Sequence, residues 1–95
     1  MSGARKFLEE NYNMNSSITL EQYLRTYYNG RELNNVDIYG LDDDTYEMFI
    51  GCLSYEDLKF DDNKKLRDLK VIFINNSNII VYIENKDDFT EYYLD

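Results

Sequence analysis

Val71-Ile72-Phe73-Ile74-Asn75-Asn76-Ser77-Asn78-Ile79-Ile80-Val81-Tyr82-Ile83 decides the fold of this chain. Two runs of β-branched and aromatic residues, 71–74 and 79–83, flank four residues that are mostly asparagine. Apolar side chains at consecutive positions mark strands covered on at least one face and place both centrally in their sheet. Asparagine tolerates left-handed dihedrals, so 75–78 reads as the turn of a hairpin joining strands at about 70–75 and 78–84.

Working outward, Val36-Asp37-Ile38-Tyr39 alternates with period two and stops at Gly40, the pattern of a short strand at about 35–39, placed at the sheet edge. Ala4, Phe7, Leu8 and Tyr12 recur at helical spacing. Thr19 and Gln22 form a capping box ahead of Leu20, Tyr23, Leu24 and Tyr27, one face of a helix that Asn29-Gly30 would end. Thr45 to Leu53 reads as another helix. Asp44 is its N-cap, Glu47 follows three residues on, and Tyr46, Phe49, Ile50 and Leu53 share a side. Ser54 and Asp57 repeat a capping signature before Tyr55, Leu58 and Phe60, and a short helix through Leu66 and Leu69 is a weaker pattern. Asp88 and Glu91 suit the start of a last helix through Phe89, Tyr92, Tyr93 and Leu94, with a third strand as the competing pattern. The expected fold is α+β: one domain, 1–95, with a small antiparallel sheet packed against three to four short helices.

A 43% apolar fraction with 16% aromatics is too high for disorder. A chain of 95 residues supports one core and little enclosed volume besides. Ten tyrosines, eleven asparagines, no histidine, no tryptophan and no proline are the bias of an AT-rich genome: a low-GC bacterium, its phage or a large DNA virus. One cysteine excludes an internal disulfide. No apolar run has signal or membrane-span length, so the expectation is a cytoplasmic protein, in the host cytoplasm if phage-encoded.

Enzymatic chemistry finds few of its usual groups. Histidine, the commonest general base and zinc ligand, is missing, and Cys52 has no histidine to activate it and falls on an apolar helix face as a buried hydrophobe. No GxGxxG, P-loop or GxSxG pattern occurs. Asp61-Asp62-Asn63 begins like a calcium loop, but Leu66 stands where glycine makes the turn and Ile72 where the bidentate glutamate belongs. Neither a cofactor nor a metal is expected. Lys64, Lys65, Arg67 and Lys70 form a basic cluster, interleaved with Asp61, Asp62 and Asp68 as on a solvated face of alternating charge. Tyr55-Glu56-Asp57-Leu58 fits a short YxxΦ sorting pattern of a kind frequent in tyrosine-rich chains.

Charge is the strongest functional signal. The net charge is −9, yet residues 1–40 hold five acids against four bases, while residues 41–95 hold fourteen against six. A field of that sign repels nucleic acid and anionic membrane and attracts basic protein surfaces. Capping accounts for Asp44, Asp57 and Glu91, whereas their doubled partners remain for a binding role. The candidate contacts are Asp42, Asp43, Asp44, Glu56, Asp57, Asp61, Asp62, Asp87, Asp88 and Glu91, with Tyr55 and Tyr92 adding contact area at low entropy cost. A rigid acidic face can imitate part of the charge ladder of duplex DNA, one charge per roughly 1.7 Å of axis.

The expected function is that of a small acidic inhibitor occupying a basic, nucleic-acid-binding protein such as a nuclease or CRISPR effector. An immunity protein or antitoxin against a basic toxin is the alternative, and an adaptor whose acidity serves solubility is the third reading. In composition the chain resembles small phage-encoded antagonists of host defence, the DNA-mimic antirestriction and anti-CRISPR proteins. The likeness carries no motif, so no residue role follows from it.

Overall fold

A computed structural model describes residues 3–28, 36–75, 78–85 and 87–89. The fold is α+β. Helices α1 (Gly3–Asn11) and α2 (Leu20–Tyr28) precede four strands, β1 (Val36–Leu41), β2 (Glu47–Leu53), β3 (Val71–Asn75) and β4 (Asn78–Tyr82), and two 3-10 helices, Glu56–Lys59 and Asp61–Leu66, link β2 to β3. The sheet order is β2-β1-β4-β3, with β1 parallel to β4 and the other two pairings antiparallel. The sheet is therefore mixed, where the sequence suggested a wholly antiparallel one.

Period-two patterning splits the apolar residues between two faces. On one face Val36, Ile38, Met48, Ile50, Val71, Ile79, Val81 and Ile83 meet Leu20 and Leu24 of α2 and Leu58 and Leu66 of the 3-10 segment, forming the main core. On the other, Leu8 of α1 packs on Leu41 and Ile72, flanked by Tyr12, Met14, Ile80 and Tyr82. The capping box that starts α2 is present: Thr19 N–H donates to Gln22 Oε1 at 3.0 Å, and Gln22 N–H to Thr19 Oγ1 at 3.1 Å. Of the stripes expected on the two helices, the Ala4 and Tyr27 side chains lie outside the described residues, as do Asn29-Gly30.

Three sequence expectations need correction. Residues 47–53 form strand β2, not a helix capped by Asp44. Phe49, Ile50 and Leu53 fit helical spacing, but Met48 and Ile50 equally fit an inward period of two, and β1 needs a hydrogen-bonding neighbour on each side. The strand at 36–41 is interior, and β3 is an edge. β3's outer groups are met by the chain itself, since Val71 N–H donates to Ile18 O (2.8 Å) and Asn13 N–H to Ile72 O (2.9 Å). The turn residues 76–77 are outside the described residues. No helix among the described residues is long and apolar enough to cross a membrane.

Candidate functional site

The parallel pairing of β1 with β4 is what builds the site. Two parallel neighbours end at the same edge of the sheet, so the segments leaving them emerge side by side. Leu41 pairs with Tyr82, and Ile83 N–H donates to Leu41 O at 2.9 Å. Asp42-Asp43-Asp44 therefore leaves the sheet beside Glu84-Asn85 and Asp87. These residues line one shallow, open cavity of about 300 Å³, with Ile83 at its base. Two acidic stretches forty residues apart in sequence have become one surface.

Within that surface the acids have different duties. Asp42 is 3% exposed, and its Oδ1 accepts the N–H groups of Asp44 and Tyr46, both at 2.9 Å. Its own N–H donates to Tyr46 O and its carbonyl accepts from Thr45 N–H, so this one residue ties the β1–β2 hairpin. Thr45 takes the left-handed turn position, φ 62°. Asp42 is thus a buried turn organiser, and the expectation that it contacts a partner directly is corrected. Asp43 is exposed; its Oδ1 accepts Tyr82 Oη–H at 2.5 Å and Arg5 Nη1–H at 3.3 Å, which fastens α1 and β4 to the hairpin. Arg5 also reaches Glu9 at 3.5 Å. Burial first, and then the adjoining Asp43 carboxylate, push the Tyr82 phenol above its ordinary pKa. Asp44, Glu84 and Asp87 are exposed around the rim and Asp88 is exposed next in the chain; Asn85 holds the last two in place by accepting their N–H groups, Asp87 at Oδ1 and Asp88 at its carbonyl.

The remaining expected contacts lie apart from this cavity. Asp57 Oδ2 accepts Ser54 N–H (2.8 Å) and Ser54 Oγ–H (3.2 Å), so the carboxylate reaches back as anticipated, but the Ser54 hydroxyl caps no amide of the first 3-10 helix. Glu56 pairs with Lys59 at 3.0 Å, and the same ammonium stands 5.1 Å from the Tyr55 ring centroid. Tyr55 itself packs against the main core. Asp61 and Asp62 are exposed at the start of the second 3-10 helix. Between them and Asp88 comes Lys65, whose Nζ donates to Asp88 O at 2.9 Å. Glu91 and Tyr92 lie outside the described residues. Arg67 spends its guanidinium on Leu58 O and Phe60 O, whereas Lys64, Lys65 and Lys70 are exposed. Leu58 is buried, so the YxxΦ stretch does not present its apolar residue to a receptor.

Sequence reading missed two members. Glu84 sits among the rim acids, but attention to adjacent acidic pairs passed over a single one. Tyr46 is half exposed at the hairpin; no period in 46–50 marks it, because it shares the parity of the inward Met48 and Ile50. Cys52 is exposed on β2 instead of buried on a helix. A hydrogen bond with Asp37 first, then burial, then the negative charge of Asp37 and Asp57 raise its thiol pKa, which makes it a poor nucleophile. Among the described residues no group of three or more ligating side chains is placed to hold a metal ion. The arrangement offers hydrogen-bond acceptors and negative charge around an open concavity. No family model, no curated protein and no solved structure matches the chain.

Proposed function

We propose that this protein is a small acidic interaction module that inhibits a basic, nucleic-acid-binding protein by occupying its Arg/Lys surface. The observation that carries the reading is the meeting of Asp43, Asp44, Glu84 and Asp87 around one open cavity, with Asp88 next in the chain. Like charges brought together cost stability in the folded state, and helix capping does not require the arrangement, because residues 42–46 cap no helix. A concavity rimmed by carboxylates suits guanidinium and ammonium groups that otherwise hold phosphates. Tyr46, half exposed on the same hairpin, supplies the flat amphipathic contact that interfaces favour.

Competition binding tests the reading. Against a basic DNA-binding target with labelled duplex bound, the protein displaces the duplex at low salt and loses this ability as salt rises. Replacing Glu84, Asp87 and Asp88 together by lysine abolishes displacement. Displacement that survives this replacement, or that ignores salt, removes the basis of the proposal.

A further inference from the structure

One edge of the sheet is covered by the chain, and the other has no partner among the described residues. The segment 13–19 runs along β3, through the hydrogen bonds to Val71 and Ile72 and a bridge between Thr19 and Lys70. Nothing among the described residues pairs with the outer edge of β2, the other terminal strand. Open edges with apolar side chains are rare in soluble proteins because they recruit other strands. Here the sheet face beside the edge is apolar. Phe49 of β2 and Tyr39 of β1 are register partners with ring centroids 5.3 Å apart, and Phe49 is 51% exposed. The row continues across the sheet through Ile80 to Phe73, where Tyr12 from the end of α1 closes over it, with ring centroids 5.7 Å apart. The half next to β2 is left uncovered by α1.

Negative charge flanks Phe49 at the edge itself. Glu47 lies two residues before Phe49 on the same face and is exposed; Asp37 lies two residues before Tyr39, across from Cys52. Two residues is the repeat of one strand face, so a strand laid against β2 with one side chain beside Phe49 has another beside Glu47. Asp37 stands one strand further in and holds the Cys52 thiol. A second copy of this chain fits badly. Antiparallel pairing about Phe49 sets Glu47 of one copy against the Gly51–Cys52 end of the other, beside Asp37, and each copy carries −9.

We infer that the outer edge of β2, with Phe49 and Tyr39, docks an extended partner segment in which an apolar side chain has lysine or arginine two residues away, beside Glu47. Main-chain hydrogen bonds supply the attachment, and the alternation of basic and apolar side chains supplies the choice of partner. The inference agrees with a basic partner but does not depend on the acidic cavity, which lies at another margin of the sheet.

The test uses the whole protein and a labelled synthetic peptide, Thr-Lys-Val-Phe-Val-Lys-Thr, followed by fluorescence anisotropy and by amide exchange in NMR. The peptide is expected to bind and to slow exchange of β2 amides. The same peptide with glutamate for lysine is expected to bind at least about tenfold more weakly. Phe49→Ser, which removes a half-exposed ring, abolishes binding while circular dichroism stays unchanged. Glu47→Lys reverses the preference towards the glutamate peptide. Triple replacement of Glu84, Asp87 and Asp88 by lysine leaves peptide binding within about threefold, so this result and the fate of the cavity reading are separable. Four results overturn the inference: equal binding of both peptides, binding indifferent to Phe49→Ser, β2 outer amides already protected in the free protein, or sedimentation showing a dimer that Phe49→Ser dissociates.

Discussion

Asp42→Ala separates the acid that builds the hairpin from the acids that surround it. The substitution removes an acceptor serving two backbone donors at 2.9 Å. Hydrogen bonds to a charged group contribute about 1.5–3 kcal/mol each. The freed amides of a hairpin loop can recover part of this from water, so the low end applies and the loss is about 3 kcal/mol. A domain of this size has roughly 5–14 kcal/mol in total, which means the variant still folds but with a large fraction of its margin gone. With an m-value of about 1.5 kcal/mol/M, the urea midpoint falls by about 2 M at unchanged slope. Asp42→Asn keeps the Oδ1 acceptor without its charge and loses only about 1 kcal/mol. Asp87→Ala, at an exposed rim position, stays within about 0.5 kcal/mol of the parent. An Asp42→Ala midpoint within about 0.3 M of the parent would refute the assignment of this carboxylate as the hairpin's organiser.

Three further outcomes are expected from the same geometry. Gly40→Ala would place a Cβ 2.7 Å from Ile83 Cγ1 and 3.2 Å from Met48 Cγ, both in the core, so thermal unfolding should show a loss of about 1–3 kcal/mol. Thr45 holds φ 62° with a β-branched side chain, and Thr45→Asn should raise the urea midpoint by the equivalent of about 1 kcal/mol, because asparagine accepts this region more readily. For pH, the Tyr82 phenol is raised in the folded state, so the fold binds its proton more tightly than the unfolded chain. That contribution is fully present below the ordinary tyrosine pKa of about 10 and is lost as pH rises through the folded value. Urea midpoints measured between about pH 8 and 11 should therefore fall less steeply for Tyr82→Phe than for the parent, and identical slopes would count against a raised Tyr82 phenol in the fold.

Local signals in the sequence carried most of the secondary structure. The capping box at Thr19–Gln22, the bond from Ser54 N–H to the Asp57 carboxylate and the apolar runs 71–74 and 79–83 each depend on residues within a few positions of one another, and each reappears in the structure. Two kinds of information were out of reach. The stretch 46–53 satisfies both a helical and an alternating period, and the choice between them is made by β1, which must be hydrogen-bonded on both sides. The parallel pairing of β1 with β4 joins residues about forty apart and leaves no mark in either strand. Since that pairing sets Asp42–Asp44 beside Glu84 and Asp87, the charge excess was legible but its assembly into one surface was not. The same error of period hid Phe49 and Cys52, which were placed on a buried helix face and stand exposed on an edge strand.

The account turns on the acidic cavity as the surface that meets a basic partner. The direct measurement is retention of proteins from a low-GC bacterial lysate on three immobilised forms: the parent, the Glu84→Lys/Asp87→Lys/Asp88→Lys form, and a control with Glu9→Lys and Glu10→Lys on α1. Elution proceeds between about 0.1 and 1 M salt, over which the Debye length shrinks from about 10 to about 3 Å. The account predicts a basic nucleic-acid-binding protein that the parent and the α1 control retain at low salt, release as salt rises, and that the triple form fails to retain. The same proteins bound equally by all three forms, or bound without regard to salt, would contradict it.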